Sequence, residues 1–364
     1  MRFNSHTTHI NRRKSIYFIN LLSEVLSIVI RYVGNVFLFV LALLLMFFFF
    51  IGQEIVDINA FLSSRWNSIF VVFLSIFLEA LPFLLVGVLA SAFIQLFVSE
   101  EMVQRCIPKN SIKALFFAII AALVTPVCEC AIIPVVRRLI QKGVPLHAGV
   151  VLLVAAPILN FIVFASTYYA FPNHPALFYG RILLCVITAL LVGLFTLIFF
   201  NGKVEHVIHN YAELAHSMEG SKTSFSERWR EFIQHFSQDF FSVVKYFIIG
   251  ALIASCLQVF FNRSLLTELG EQSIFGTAAM MGFSYLLSLC SEADAFVAAT
   301  FVNSFRPEAM LGFLVFGPML DLKNTFVLFA CFKPRFVLMF IIVVTCIVFS
   351  LSLLAGVIIE MGGL

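Results

Sequence analysis

Charge is scarce in this 364-residue chain: Asp, Glu, Lys and Arg make up 12% of it, against 61% hydrophobic residues and a mean hydropathy of +1.03. That scarcity excludes a soluble globular domain, which has no interior large enough to hide so much apolar surface. Strands of alternating polarity are missing as well, so the membrane solution is helical and not a barrel. No phosphate-binding glycine loop is present, which argues against an ATPase. Nothing in the sequence points to nucleic acid or calls for a cofactor. The eight cysteines are spread mostly along apolar segments and do not resemble a secreted disulfide framework. The basic start, Arg12, Arg13 and Lys14 before an apolar run, lacks a small-residue cleavage site and reads as a retained signal anchor.

What the chain does have is a series of long oily stretches. Charge-free runs cover 32–53, 80–99, 143–180, 182–202, 272–291 and 336–359, and about 20 apolar residues suffice to span a bilayer. The expected helices lie near 33–52, 69–97, 148–171, 177–200, 238–261, 308–330 and 336–359, with interrupted stretches over 113–141 and 273–304. The interruptions are polar and carry cysteine: Val127-Cys128-Glu129-Cys130, and Leu289-Cys290-Ser291-Glu292-Ala293-Asp294. An ionised side chain at bilayer depth costs roughly 2.5–3.5 kcal/mol on insertion scales, so such residues face a polar interior or a transport path.

The two breaks look like copies. Gly87, Leu89, Gln95 and Phe97 recur 163 residues later as Gly250, Leu252, Gln258 and Phe260. Cys128 and Pro145 recur at 162 as Cys290 and Pro307, and Pro157 and Asn160 correspond at 161 to Pro318 and Asp321. Collinear correspondences with so little drift indicate a duplication.

Basic residues decide whether the halves are parallel or inverted. If both interrupted stretches are re-entrant hairpins, most basic residues fall on the cytoplasmic side, among them Arg137 and Arg138. Only Arg65, Arg181, Arg263 and Arg306 lie outside, with Lys245 and Lys323 inside the membrane. If both stretches span, Arg137, Arg138, Lys142, Lys203, Lys222, Arg228, Arg230 and Arg306 join Arg65 outside. The bias favours hairpins, while the stretch 113–141 is also long enough for one broken spanning helix.

The expected fold is thus an all-α polytopic membrane protein of two inverted repeats. Each has about three transmembrane helices plus a broken or re-entrant hairpin, and one extra N-terminal helix precedes them. The expected organisation is a cytoplasmic N-terminus and first transmembrane helix over 1–65, repeat one over 66–200, a cytoplasmic linker over 201–237 and repeat two over 238–364.

At the first break, Pro126 disfavours helix at Thr125. Extended backbone then projects Cys128 and Cys130 to one side with Glu129 opposite, which a continuous helix does not allow. Pro134 suits the first turn of a half-helix starting near Ala131. Ser291 with Asp294 reads as the capping arrangement of the matching half-helix. Pro157 and Pro318 weaken the helices that carry Asn160, and Asp321 with Lys323 and Asn324, by freeing carbonyls near Leu153 and Leu314. The resulting candidate site for substrate or coupling comprises Cys128, Glu129, Cys130, Asn160, Cys290, Glu292, Asp294, Asp321, Lys323 and Asn324. Its carboxylates exceed its one lysine, which suits a cation or protons, and its thiols suit a soft, thiophilic species.

Each feature has a structural alternative: small packing cysteines, a simple cap at Glu292 and Asp294, and an ion pair between Glu79 and Lys245. Cys128 and Cys130 are the candidate metal ligands within the membrane. Glu205, His209, Glu213 and His216 form a helical stripe beside His206 in the linker, read first as a solvated face and second as a metal site.

The runs TPVCECAIIPVVRRLIQKGVPLHAG and AAPILN, with LCSEADAF and FGPMLDLKN, resemble the predicted-permease family of bacterial membrane proteins that includes organoarsenical efflux permeases. The resemblance covers about residues 66–361. It implies a permease of the bacterial inner membrane and, for the arsenical branch, export of trivalent organoarsenicals through cysteines at the positions of Cys128 and Cys130. Glu129 stands where that branch looks like C-S-C, and the second break is the acidic CSEAD; a divalent metal therefore becomes a rival substrate. The resemblance also implies a partner, a second membrane-anchored permease subunit.

The leading reading is a secondary permease, and not an enzyme, in the lipid bilayer of the inner membrane with a cytoplasmic N-terminus. It moves a thiophilic metal, metalloid or other small cation, outward and coupled to protons. A membrane thiol oxidoreductase cycling Cys128 and Cys130 is the first rival. A channel or non-transporting subunit of a partner complex is the second.

Overall fold

The computed structural model describes residues 60–108, 110–125, 127–200, 207–208, 225–260 and 272–362. The expected helix near 33–52, the linker stripe from Glu205 to His216 and Pro126 lie outside the described residues. Ser68–Leu364 form one compact unit.

The described residues are almost wholly helical: α1 (Ala60–Phe97), α2 (Glu100–Cys106), α3 (Ser111–Val124), α4 (Glu129–Gln141), α5 (Leu146–Ala155), α6 (Phe161–Ala170) and α7 (Pro175–Phe200), followed by α8 (Phe225–Phe260), α9 (Ser273–Leu287), α10 (Ala293–Ala299), α11 (Pro307–Met319), α12 (Leu322–Cys331) and α13 (Pro334–Gly362). Among the described residues, five helical stretches are long and apolar enough to cross a membrane: Trp66–Phe97, Pro175–Phe200, Phe236–Phe260, Pro307–Cys331 and Pro334–Met361. The chain is a multi-pass membrane protein.

Two expected helices are each divided in two. The stretch near 148–171 is α5 and α6, and that near 308–330 is α11 and α12. Apolar periodicity continues through both, so composition alone joined them. Two physical signals end the first half of each. Pro157 and Pro318 lack the N–H that would bond the carbonyls of Leu153 and Leu314. Three residues after each proline, a polar side chain starts a new helix. Asn160 Oδ1 accepts from Val163 N at 2.8 Å, and Asp321 Oδ1 accepts from Asn324 N at 2.6 Å. Such caps hold the second halves in place against the unpaired N–H groups of a helix start.

The order of elements therefore occurs twice: a long helix, a helix broken at cysteine, a helix broken at proline, and a second long helix. Packing repeats with it. The α3–α5 and α5–α7 contacts of the first half are matched by α9–α11 and α11–α13 in the second, and α4 meets α12 as α10 meets α6. The last two contacts cross between the halves and bring the breaks together.

Burial locates the centre. Within the most apolar window of each spanning stretch, 83% of Pro307–Cys331 is buried against 22–39% for the other four. The broken pair α11 and α12 is thus enclosed by protein. The outer helices turn Phe83, Phe93, Leu183, Ile198, Leu338 and Ile342 outward, as lipid contact requires.

Candidate functional site

The first break is shorter than the sequence suggests. Thr125 (φ −94°, ψ 98°) and Cys128 (φ −71°, ψ 167°) are extended, and Cys128 is the residue before α4, which starts at Glu129 and not near Ala131. Glu129 consequently sits in the first helical turn, where its carboxylate favours the positive end of the helix dipole. Pro134 lies more than a turn inside α4 and deprives the Cys130 carbonyl of its helical partner. The expected opposition of Glu129 to the two cysteines is not seen. The Cys130 and Cys128 thiols are neighbours, and Glu129 is turned to the same buried interior, with 4% of its surface exposed.

That interior is organised by Lys323. Its ammonium donates to the Ser288 carbonyl at 2.6 Å and lies 3.3 Å from Glu129 Oε1 and 3.4 Å from Asp321 Oδ2. Glu129 belongs to the first break, Ser288 to the end of α9, and Asp321 to the cap of α12. One cation therefore ties three backbone interruptions together. Ser288 is in the left-handed region (φ 48°, ψ 43°), the sole non-glycine residue there among those described, a conformation that costs a side chain about 1–2 kcal/mol.

The second break makes its own ion pair. Ser291 and Asp294 do not form the expected capping arrangement: the residue preceding α10 is Glu292, and it has no side-chain cap bond. Instead, Arg181 of α7 donates through Nη2 to Asp294 Oδ1 at 3.0 Å and Oδ2 at 2.8 Å, and to the Ser291 carbonyl at 3.2 Å. Its Nη1 donates to Thr167 Oγ1 at 2.7 Å. Arg181 is 1% exposed, within α7. A guanidinium buried so fully requires this planar, multiple set of acceptors.

Glycines set these helices against one another. A Cβ on Gly87 of α1 would stand 2.6 Å from Ala131 Cα, one residue past Cys130. A Cβ on Gly250 of α8 would stand 3.0 Å from Lys323 Cα. The two glycines matched in the sequence thus admit backbone contact beside the first break and beside the central lysine. Gln258, matched to Gln95, donates to the carbonyls of Leu286 at 3.2 Å and Leu287 at 2.8 Å, satisfying acceptors freed at the second break. A cavity of about 300 Å³ adjoins them, lined by Ser68, Val72, Gln258, Phe283, Leu286 and Leu287.

With this geometry in view, comparison with known proteins places the chain. The model of a family described as "Predicted permease" matches residues 65–360. The chain belongs to that predicted-permease family. It is 41% identical over 290 residues to "UPF0718 protein YcgR" of Bacillus subtilis (strain 168), covering 78% of this chain and 95% of that protein. It is 32% identical over 286 residues to a "Putative two-component membrane permease complex subunit" of Streptococcus mutans serotype c, covering 79% of this chain and 94% of that protein. No solved structure matches.

In this permease the remaining expected residues divide. Asn324 is buried beside Asp321 in α12, and Cys290 and Glu292 are half-buried at the second break. The Asn160 side chain is committed to capping α6. Glu79 and Lys245 are both exposed and do not pair with each other; Glu79 lies instead beside the Cys290 thiol. Lys245 is on the outer face of α8, which removes the expected ion pair. Among the described residues no three histidine, cysteine or carboxylate groups are arranged to hold a metal ion. Cys128 and Cys130 lack a third donor in this arrangement.

Arg138, which the charge count expects on the cytoplasmic side, is 2% exposed and pairs with Asp239 of α8, with Nη1 donating to Gln141 Oε1 at 3.1 Å. Arg181 had a visible signal, as the lone charge between the apolar runs 143–180 and 182–202. Ser288 had none, because a left-handed serine leaves no mark in composition.

Proposed function

We infer that this chain is a secondary permease carrying a small thiophilic cation, a metal or metalloid species, outward across the bacterial inner membrane. Proton movement through carboxylates of the two breaks drives it. The observation that supports this best is the Lys323 cluster, in which the first break (Glu129), the end of α9 (Ser288) and the α12 cap (Asp321) share one buried cation. Buried charge at such density is expensive in a membrane protein and is concentrated where ions or protons pass.

The substrate face comprises the neighbouring thiols Cys128 and Cys130 with Cys290. Glu292, half-buried and without an ion-pair partner among the described residues, serves as the coupling carboxylate. Asp294, Asp321 and Lys323 hold the surrounding charge in balance beside the neutral amide of Asn324, and Asn160 positions α6 against α10. The architecture proposed is a pair of inverted repeats over 66–200 and 238–364, joined by a cytoplasmic linker and preceded by a cytoplasmic N-terminus and first helix over 1–65. The repeated element order and the matched caps support duplication, and the distribution of basic residues supports inversion. Access alternates as one half rocks against the other. The printed name of the Streptococcus mutans relative supports a second membrane subunit as partner.

Purified protein in proteoliposomes, offered a panel of divalent metals and trivalent arsenicals with an imposed proton gradient, tests the reading. Accumulation against the substrate's own gradient is expected, and its loss in Glu292→Gln and in Cys128→Ser with Cys130→Ser. Uptake that never exceeds equilibrium would refute active transport, and full transport by Glu292→Gln would remove its coupling role. The adjacency of the two thiols also favours a dithiol–disulfide role; a mixed disulfide trapped on Cys130→Ser, with transport absent from wild type, selects that reading.

A further inference from the structure

We propose that Lys323 is a tethered cation occupying a small-cation site built by the protein, and that removing it converts the permease to dependence on free Na⁺ or K⁺. The proposal rests on the permease reading for its physiological use, but not for its physical basis.

Three oxygens from three separate interruptions converge on one ammonium: the Ser288 carbonyl at 2.6 Å, Glu129 Oε1 at 3.3 Å and Asp321 Oδ2 at 3.4 Å. Carbonyl and carboxylate oxygens are the ligands of hard cations, which gather more of them than an ammonium has protons to donate. More are available here. Glu129 is 4% exposed and its second oxygen, Oε2, is buried with no hydrogen-bond partner. Asn324, also 4% exposed, has a buried Oδ1 without a partner in the turn that carries Lys323. A lysine chosen only to neutralise two carboxylates does not need a strained left-handed serine aiming a third oxygen at it; a cation cage does.

The lysine side chain itself is held from behind. Gly250 admits α8 to within van der Waals contact of the Lys323 backbone, so the ammonium reaches its oxygens from a fixed base. A compact ammonium on a flexible stem is close in charge and size to a monovalent ion. It differs in that it cannot leave the protein. In the wild type the site is therefore self-filled, and an incoming cation gains Glu129 and Asp321 only when the ammonium withdraws. Substrate entry and lysine displacement become one event.

The test uses full-length wild type, Lys323→Met and the charge-balanced Lys323→Met/Glu129→Gln in detergent, with thermal unfolding followed in choline, Na⁺ or K⁺ chloride at equal ionic strength. Choline is too large for the cage and serves as the reference. Wild type should unfold at the same temperature in all three salts. Lys323→Met should be destabilised in choline and recover in Na⁺ or K⁺ along a saturating curve, as binding to the native state alone requires. The double variant should fold in choline and lose that dependence. Equal behaviour of Lys323→Met in all three salts overturns the proposal, as does failure of the double variant to fold in any of them. Because the readout is unfolding and not flux, a saturating Na⁺ or K⁺ response with no transport would leave this inference standing and remove the permease mechanism. Transport without any such response would do the reverse.

Discussion

Replacing Asp294 with Asn, which keeps the side chain's shape and removes its charge, strands one of the most deeply buried cations in the protein. Arg181 makes four contacts, two of them to the Asp294 carboxylate at 2.8 and 3.0 Å, and the side chains are 1% and 4% exposed. Thr167 and the Ser291 carbonyl would still accept hydrogen bonds, but neither carries a charge. Removing one partner of such a pair costs about 3–5 kcal/mol, since the other is left buried and uncompensated. That is roughly two to three and a half decades in the unfolding equilibrium. Arg181→Met should cost a similar amount by stranding the carboxylate. The combination Arg181→Met/Asp294→Asn carries no stranded charge and should regain most of the loss, giving a coupling energy of about 3 kcal/mol or more, read as the departure from additivity. The assay is equilibrium unfolding of all four proteins in mixed micelles. Single losses below about 1 kcal/mol that simply add would match an exposed, screened pair and refute the claim that this bond locks α7 to α10.

Gly87→Ala should distort the first break, because the new Cβ meets Ala131 backbone at 2.6 Å and backbone cannot swing aside; overpacking of this kind costs about 1–3 kcal/mol. Gly282→Ala, with nothing within 4 Å, is its control and should stabilise α9 by about 0.5–1 kcal/mol, both read by thermal unfolding. Ser288→Gly should fold at least as well as wild type, whereas Ser288→Val should lose about 2 kcal/mol or more, since a branched side chain opposes φ 48°. Asn160→Ala removes only a cap and should cost about 0.5–2 kcal/mol. Asp321→Ala removes the matching cap and a counter-ion of Lys323 together and should cost more; equal losses from the two would show that Asp321 does not share in holding the lysine.

Much of the site was legible from residue types in improbable places. Glu129, Asp294, Asp321 and Lys323 are ionisable groups in oily sequence, and the expense of burying them marks them in the sequence alone. Arg181 carries the same signal, as the lone charge between two apolar runs, yet a count of basic residues by side of the membrane says nothing of its burial. The proline breaks at 157 and 318 were visible as weakened helices, yet not as full interruptions. Their depth depends on Asn160 and Asp321 acting as caps, and a cap forms only where the preceding residues leave the helix. The Glu79–Lys245 pairing failed because opposite charges at similar depth share an ion pair only when their helices turn those faces toward each other.

Composition and spacing by themselves determined that this protein is a helical bundle in lipid, that its polar groups gather at a few breaks, and that residues around those breaks recur at a nearly constant offset. Hydrophobic period, the missing N–H of proline and the cost of burying charge act within a few residues, so they are written locally. Tertiary structure alone decided the partners: Lys323 with Glu129, Arg181 with Asp294, Arg138 with Asp239. Each pair joins residues more than 100 positions apart. Which carboxylate meets which cation depends on how whole helices rotate and approach, down to the two glycines that let backbone touch backbone.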